Sequence, residues 1–124
     1  MSVPELGRQT GLGLYEAAKA GEFHMSEEVA RGLADSCDRL VERVREARNN
    51  AAALTPVHGF PDLPSGRALT RGFDAKGREY LDVLDAFEQA ALQHKAAYLA
   101  AAALFQEADA ALAATLADTG RDTA

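Results

Sequence analysis

A catalytic or metal site needs acids, bases or ligands that converge, and this chain of 124 residues offers few at useful spacing. Its histidines, His24, His58 and His94, are scattered, and no two of them lie one helical turn apart, the spacing of a helical metal site. Paired carboxylates do occur: Asp35 with Asp38, and Asp82 with Asp85, each share one face of a helix. They resemble half of a carboxylate metal bundle, but the other half requires Glu-x-x-His on facing helices, which the chain lacks. The Gly11-Leu12-Gly13 stretch has neither a preceding strand nor a lysine placed to cradle a phosphate, and there is no Gly-x-Ser-x-Gly. Cys37 is the only cysteine, which excludes an intramolecular disulfide; on the apolar face of its helix it reads as a small hydrophobe rather than a nucleophile. His94 falls between Ala91 and Tyr98 on an apolar seam, where a carbonyl or carboxylate is expected to satisfy it. These residues predict binding without chemistry: no enzyme, no catalytic residue, no cofactor and no metal.

The apolar positions carry the stronger pattern. Tyr80, Leu84, Phe87, Ala91, His94, Tyr98, Ala101, Phe105, Ala108 and Leu112 follow at alternating spacings of four and three, the seam of a helix packed lengthwise against another. No proline or glycine interrupts the stretch from Tyr80 to Leu116, so the pattern predicts one continuous helix, about 55 Å long at about 1.5 Å per residue. A second stripe, Leu92, Ala96, Leu99, Ala103, Ala110 and Ala117, keeps the same rhythm one position out of phase. From Leu92 onward the apolar face is therefore wider than one antiparallel partner covers, and more than one neighbour is expected.

In chain order, residues 1–24 form an amino-terminal segment with a short helix. Gly7, Gly11 and Gly13 weaken its beginning, and the better part runs from Leu12 to Ala20, closed by Gly21. Leu6, Leu12, Leu14, Tyr15 and Phe23 make it a candidate third element over the wide face. The first long helix spans 26–54, capped by Ser26 with Glu27 and Glu28 in its first turn. Its seam is Val29, Leu33, Cys37, Leu40, Val44, Ala47, Ala51 and Leu54. Opposite that seam, Glu27, Arg31, Asp35 and Arg39 alternate in sign as a solvated ladder. Residues 55–65 are a turn with Pro56, Pro61, Pro64 and Gly59. Val57, Phe60 and Leu63 make that turn apolar, either plugging the end of the bundle or docking on a partner. The second long helix spans 66–118, with Ser65 as its cap and a bend expected at Gly72 and Gly77 before Tyr80. Residues 119–124 form a polar tail expected to be disordered.

With 48% hydrophobic and 26% charged residues, the chain has enough apolar surface for one elongated domain. A net charge of −6 and a pI near 5.0 argue against nucleic acid and anionic membrane surfaces as partners. Between Leu81 and Asp118, Asp82, Asp85, Glu88, Glu107, Asp109 and Asp118 face the single base Lys95, whereas Arg39, Arg43, Arg45 and Arg48 crowd the first helix. That asymmetry favours antiparallel packing of the two segments. The longest apolar run, Ala96 to Phe105, is too short to span a bilayer, and no general secretory signal peptide opens the sequence.

Two helices with matched seams, a proline- and glycine-rich turn and an acidic short chain look like the Trp-Xaa-Gly superfamily of type VII secretion. The resemblance spans Ser26 to Asp118. The stretch Gly59-Phe60-Pro61-Asp62-Leu63-Pro64-Ser65-Gly66-Arg67-Ala68-Leu69, followed by Gly72, Phe73 and Lys76, is similar to the inter-helix region of divergent actinobacterial members. His58-Gly59-Phe60 stands where the family has Trp-Xaa-Gly. Phe105 and Asp109 stand where its export signal has a tyrosine and, four residues later, an acid; Tyr98 is followed at that spacing by Ala102. The resemblance implies a secretion substrate or an accessory partner of one.

The expected fold is all-α: an elongated antiparallel helical hairpin with a short N-terminal helix, pairing into a four-helix bundle. Its partner would be a second copy, a similar hairpin or a larger secreted protein. Leu84, Phe87, Leu92, Tyr98, Leu99, Phe105 and Leu112 would carry the interface. The alternative is an intracellular helical adaptor or chaperone that uses the same face to mask another protein's hydrophobic segment. The corresponding locations are secreted by the type VII route or cytoplasmic.

Overall fold

The structure is a computed structural model that describes the backbone of residues 3–54 and 58–122, and the side chains of residues 8–54 and 58–115. It contains α1 (Val3–Lys19), α2 (Glu27–Ala53), α3 (Pro64–Ala101) and α4 (Phe105–Asp122), with no strand among the described residues. The chain is all-helical, and α1, α2 and α4 each pack on α3.

Local chemistry sets the helix ends. The Ser26 hydroxyl accepts from the Val29 N–H at 3.2 Å, with Glu27 and Glu28 in the first turn of α2. α3 opens one residue earlier than its expected cap. Leu63 occupies the cap position with Pro64 at the first helical position, where its fixed φ and missing N–H do no harm, and Ser65 lies inside the helix. No break occurs at Gly72 or Gly77. Each glycine costs about 1 kcal/mol relative to alanine, too little to interrupt a cooperative helix of 38 residues.

The break comes where none was expected. In place of one helix over 66–118, α3 ends at Ala101 and the chain reverses into α4. Ala103 takes a left-handed φ of 61°, its N–H donates to the Ala100 carbonyl at 2.9 Å, and the Leu104 N–H donates to the Leu99 carbonyl at 2.9 Å. This pair of bonds is the Schellman closure that normally carries glycine. The Ala101 carbonyl accepts from the Met25 N–H at 3.1 Å, tying the corner to the segment before α2. Left-handed alanine costs about 1–2 kcal/mol, which burial of Ala108 and Ala111 against the rest of the chain offsets. α4 continues to Asp122, into the tail expected to lack structure.

Side-chain pairs fix the directions. Arg45 meets Glu88 and Lys95 meets Asp38, so α2 runs antiparallel to α3. Arg8 meets Gln89 while Gly11 packs at Gln93 and His94, so α1 runs parallel to α3. Leu92, Lys95 and Leu99 of α3 line a cleft with Glu107, Ala111 and Ala114, and α4 returns along α3 antiparallel. The main core joins Tyr15, Ala18, Ala34, Ala96, Ala97, Leu99, Ala100, Ala108 and Ala111. Such small side chains let helices approach closely. The face that widens after Leu92 is thus covered by the chain's own α1, α2 and α4. Beyond this four-helix part, α2 and α3 continue as a two-helix extension to the turn, whose described residues begin at His58; Val57, expected to help plug the end, lies outside the described residues.

Candidate functional site

The stripe by which α2 touches the rest of the chain is rotated from its expected seam. Its buried residues are Ala30, Ala34, Val41 and Val44, while Val29 is 53% and Leu40 47% exposed, with Leu33 exposed beside them. A rotation of about one residue position (~100°) separates the two stripes in the first half of α2, whereas Val44 belongs to both and Cys37, Ala47 and Ala51 of the expected seam are half-buried. Charged pairs lock the second half of α2 to α3. Glu88 is 1% exposed and accepts from Arg45 Nε at 2.6 Å and from Arg48 at 3.3 Å, while Arg48 also pairs with Asp85. A carboxylate buried to that degree must keep its partners, and Arg45 and Arg48 reach across to it, Arg45 with its own side chain still 48% exposed. The sequence signal was the opposition of arginines and acids, but the burial of Glu88 was not foreseen.

On α3 the expected interface residues divide. Leu84, Leu92 and Leu99 are buried within the chain, so their apolar surface is already used between its own helices. Phe87 is 37% exposed, and Leu69, Phe73, Tyr80 and Val83 are also exposed. The position of α4 defines the sides. Arg31, Ala34, Asp35 and Asp38 of α2 and Leu92, Lys95 and Leu99 of α3 border the cleft with α4. At about 100° per residue, Val29, Leu33 and Leu40 lie on the opposite flank of α2 from Arg31 and Asp38, whereas Phe73, Tyr80 and Phe87 lie only about 40–120° around α3 from Lys95 and Leu99. The antiparallel pairs Arg45–Glu88 and Lys95–Asp38 place Val29, Leu33 and Leu40 beside the part of α3 nearest Ala101, and Phe73, Tyr80 and Phe87 beside the far end of α2 and the turn, so the two sets are separate apolar patches along the α2–α3 pair.

Cys37 and Tyr98 are half-buried. Burial pushes the Cys37 thiol up, which keeps it protonated and apolar; burial also raises the Tyr98 phenol, with a smaller contribution from Cys37. The His94 Nδ1 lies 2.8 Å from the Ala90 carbonyl of its own helix, and its ring tilts against Tyr98. Near the turn, Phe60 stacks on Phe73 at 5.8 Å, and an open cleft of about 900 Å³ lies among Ala47, Leu54, His58, Phe60, Phe73 and Tyr80.

The two export-signal-like residues are separated in role. Phe105 is exposed at the start of α4, whereas the Asp109 carboxylate accepts from the Tyr15 hydroxyl at 2.7 Å and lies 3.7 Å from Lys19 Nζ. Leu112 is half-buried against the core. Arg31, part of the expected solvated ladder, bonds both Glu27 and Glu107 at 2.9 Å and so links α2 to α4.

No group of three or more histidine, cysteine, aspartate or glutamate side chains among the described residues could hold a metal ion. His24 and His58 are exposed and lie in different connections from the helix that bears His94. No described helix is long and apolar enough to cross a membrane. The geometry defines an all-α protein in which three helices pack on a fourth and large apolar side chains are exposed on α2 and α3. Compared with known proteins, the chain matches no family model, no curated protein and no solved structure.

Proposed function

We propose that this chain is a non-enzymatic binding protein that engages another polypeptide through apolar side chains of α2 and α3. One observation carries the reading: the large apolar side chains of Val29, Leu33 and Leu40 on α2 and of Phe73, Tyr80 and Phe87 on α3 are exposed. In this reading the helical hairpin of α2 and α3 completes a larger bundle with its partner, and the resemblance to type VII secretion proteins makes it a secretion substrate or an accessory partner of one. Leu40 and Phe87 are the anchors, because large side chains at the centre of a helix face dominate such interfaces.

A second reading is the helical adaptor or chaperone that stays in the cell; Asp109, bonded to Tyr15 and beside Lys19 yet 58% exposed, fits both readings. The test is light scattering of the parent and of Leu40→Asp and Phe87→Asp across a concentration series, with co-purification from the native host. The binding reading expects a complex, with itself or another chain, that both variants lose while keeping their helical circular dichroism. A parent that is monomeric and captures nothing would overturn it. Loss of secretion in Phe105→Ala with intact folding would separate the export reading from the adaptor reading.

A further inference from the structure

Nothing in the local sequence obliges the chain to turn between α3 and α4. Ala103 holds a φ of 61° that favours glycine. Leu104, the residue before α4, stands where a helix start prefers serine, threonine, aspartate or asparagine, and its side chain has no acceptor for the N–H groups of the first turn. From Ala96 to Ala117 there is neither proline nor glycine, and alanine, the best helix former, fills more than half of the positions. Straightening would return Ala103 to the right-handed region. The N–H groups of Ala102, Ala103 and Leu104 would then bond to carbonyls four residues back, in place of their present bonds to Leu99 and Ala100. The Met25 N–H would lose the Ala101 carbonyl.

What straightening forfeits is the seat of α4: the burial of Ala108 and Ala111, the Arg31–Glu107 pair, and the contacts of Asp109 with Tyr15 and Lys19. Each of these joins α4 to residues that precede the turn, so the α4 of a second copy can supply all of them. We propose that α4 is an exchangeable arm: with the turn straightened, α3 and α4 run on as one helix, and each of two copies lays its α4 into the groove of the other, a domain-swapped dimer. The register permits it. Leu92, Lys95 and Leu99 of α3 meet Glu107, Ala110, Ala111 and Ala114 of α4 across their cleft, antiparallel about a point near Ala103. Two straightened helices crossing antiparallel at that point place the same residues opposite one another, each from a different copy. At the crossing, Ala100, Ala101, Ala102 and Ala103 meet their counterparts, and side chains of that size let two helices pass closely. The exchange draws on none of Val29, Leu33, Leu40, Phe73, Tyr80 or Phe87, and so goes beyond the binding reading above without resting on it.

The experiment refolds the full chain from urea at about millimolar and at about micromolar concentration, the former matching the effective concentration of a tethered helix. Light scattering after size exclusion reads the mass. Arg31→Cys/Glu107→Cys in a Cys37→Ser background, joined by a short bismaleimide, reads which chain supplies α4. The link lies within one chain in the monomer and between chains in the swapped dimer, which then runs at twice the chain mass on a denaturing gel. A dimer formed at the higher concentration and linked between chains is the expected result. Ala103→Gly, which relaxes the turn and weakens the straight helix in both copies, is expected to lower the association constant by about a hundredfold or more. Leu40→Asp and Phe87→Asp are expected to leave that constant unchanged, with circular dichroism confirming that each variant is folded. A dimer that either aspartate variant abolishes, with links only within chains, would overturn the exchange and support the exposed side chains as the interface. A monomer at both concentrations, or a dimer that Ala103→Gly leaves as strong, would overturn it as well.

Discussion

At Gly11, α1 packs directly against α3. A Cβ placed there would lie 2.9 Å from Gln93 Cβ and 2.9 Å from His94 Nδ1, whereas one at Gly13 would meet nothing within 4 Å. The two glycines share a helix and differ only in the face they present. Gly11→Ala is expected to destabilise the protein by about 1–3 kcal/mol through overpacking. Gly13→Ala is expected to stabilise it by about 0.5–1 kcal/mol through helix propensity. Urea unfolding of the two variants beside the parent checks both, and a loss of equal size at both positions would show that α1 does not pack as described. In the sequence both glycines count only as weak helix formers, because a close approach depends on the surface across the gap.

Tyr15 links α1 to α4 and makes the fold sensitive to alkali. Its phenol is raised above the ordinary 10.0, first by burial and then by its bond to Asp109, with Lys19 opposing. An acid with a raised folded pKa holds its proton after the unfolded chain has released it. Its contribution is therefore complete below about pH 10 and is lost as pH rises through the folded value. Tyr15→Phe is expected to cost about 1 kcal/mol at neutral pH and to flatten the fall in stability above about pH 10. Denaturation midpoints across the alkaline range read both effects; identical slopes in parent and variant would remove Tyr15 as the source.

At the scale of elements, the turn at Ala102–Leu104 decides whether the chain is a long rod or a folded-back bundle. Ala103 adopts the left-handed conformation without glycine's freedom. Ala103→Gly is expected to raise stability by up to about 1 kcal/mol, read as a higher midpoint with unchanged helicity. A lower midpoint would indicate that the helix passes straight through Ala103 in solution. The existence of helical stretches was legible because their apolar rhythm of threes and fours is strong. The reversal was not: the alanines on both sides favour helix equally, and what ends α3 is the tertiary gain of laying α4 against Leu92 and Leu99. Nor was the facing of α2 legible. Periodicity gave its apolar stripe, of which Val44 is buried and Cys37, Ala47 and Ala51 are half-buried, but which of its residues face inward depends on the helices packed beside them, and Val29, Leu33 and Leu40 are left exposed.

At the scale of the whole molecule, the ends of α1 and α3 and the beginnings of α2 and α4 meet around Ala101, while the other end is only α2, α3 and their turn. The part near Ala101 is held by four helices; the part near Phe73 is held by two. Of the residues proposed to bind, Phe87 stands close to the first region, whereas Phe73 and Tyr80 belong to the second. Stability graded in this way places the more deformable end of the molecule under Phe73 and Tyr80. Amide protons there would exchange through local opening that leaves the corner at Ala101 intact, so a partner could reshape the patch at one end without unfolding the other end.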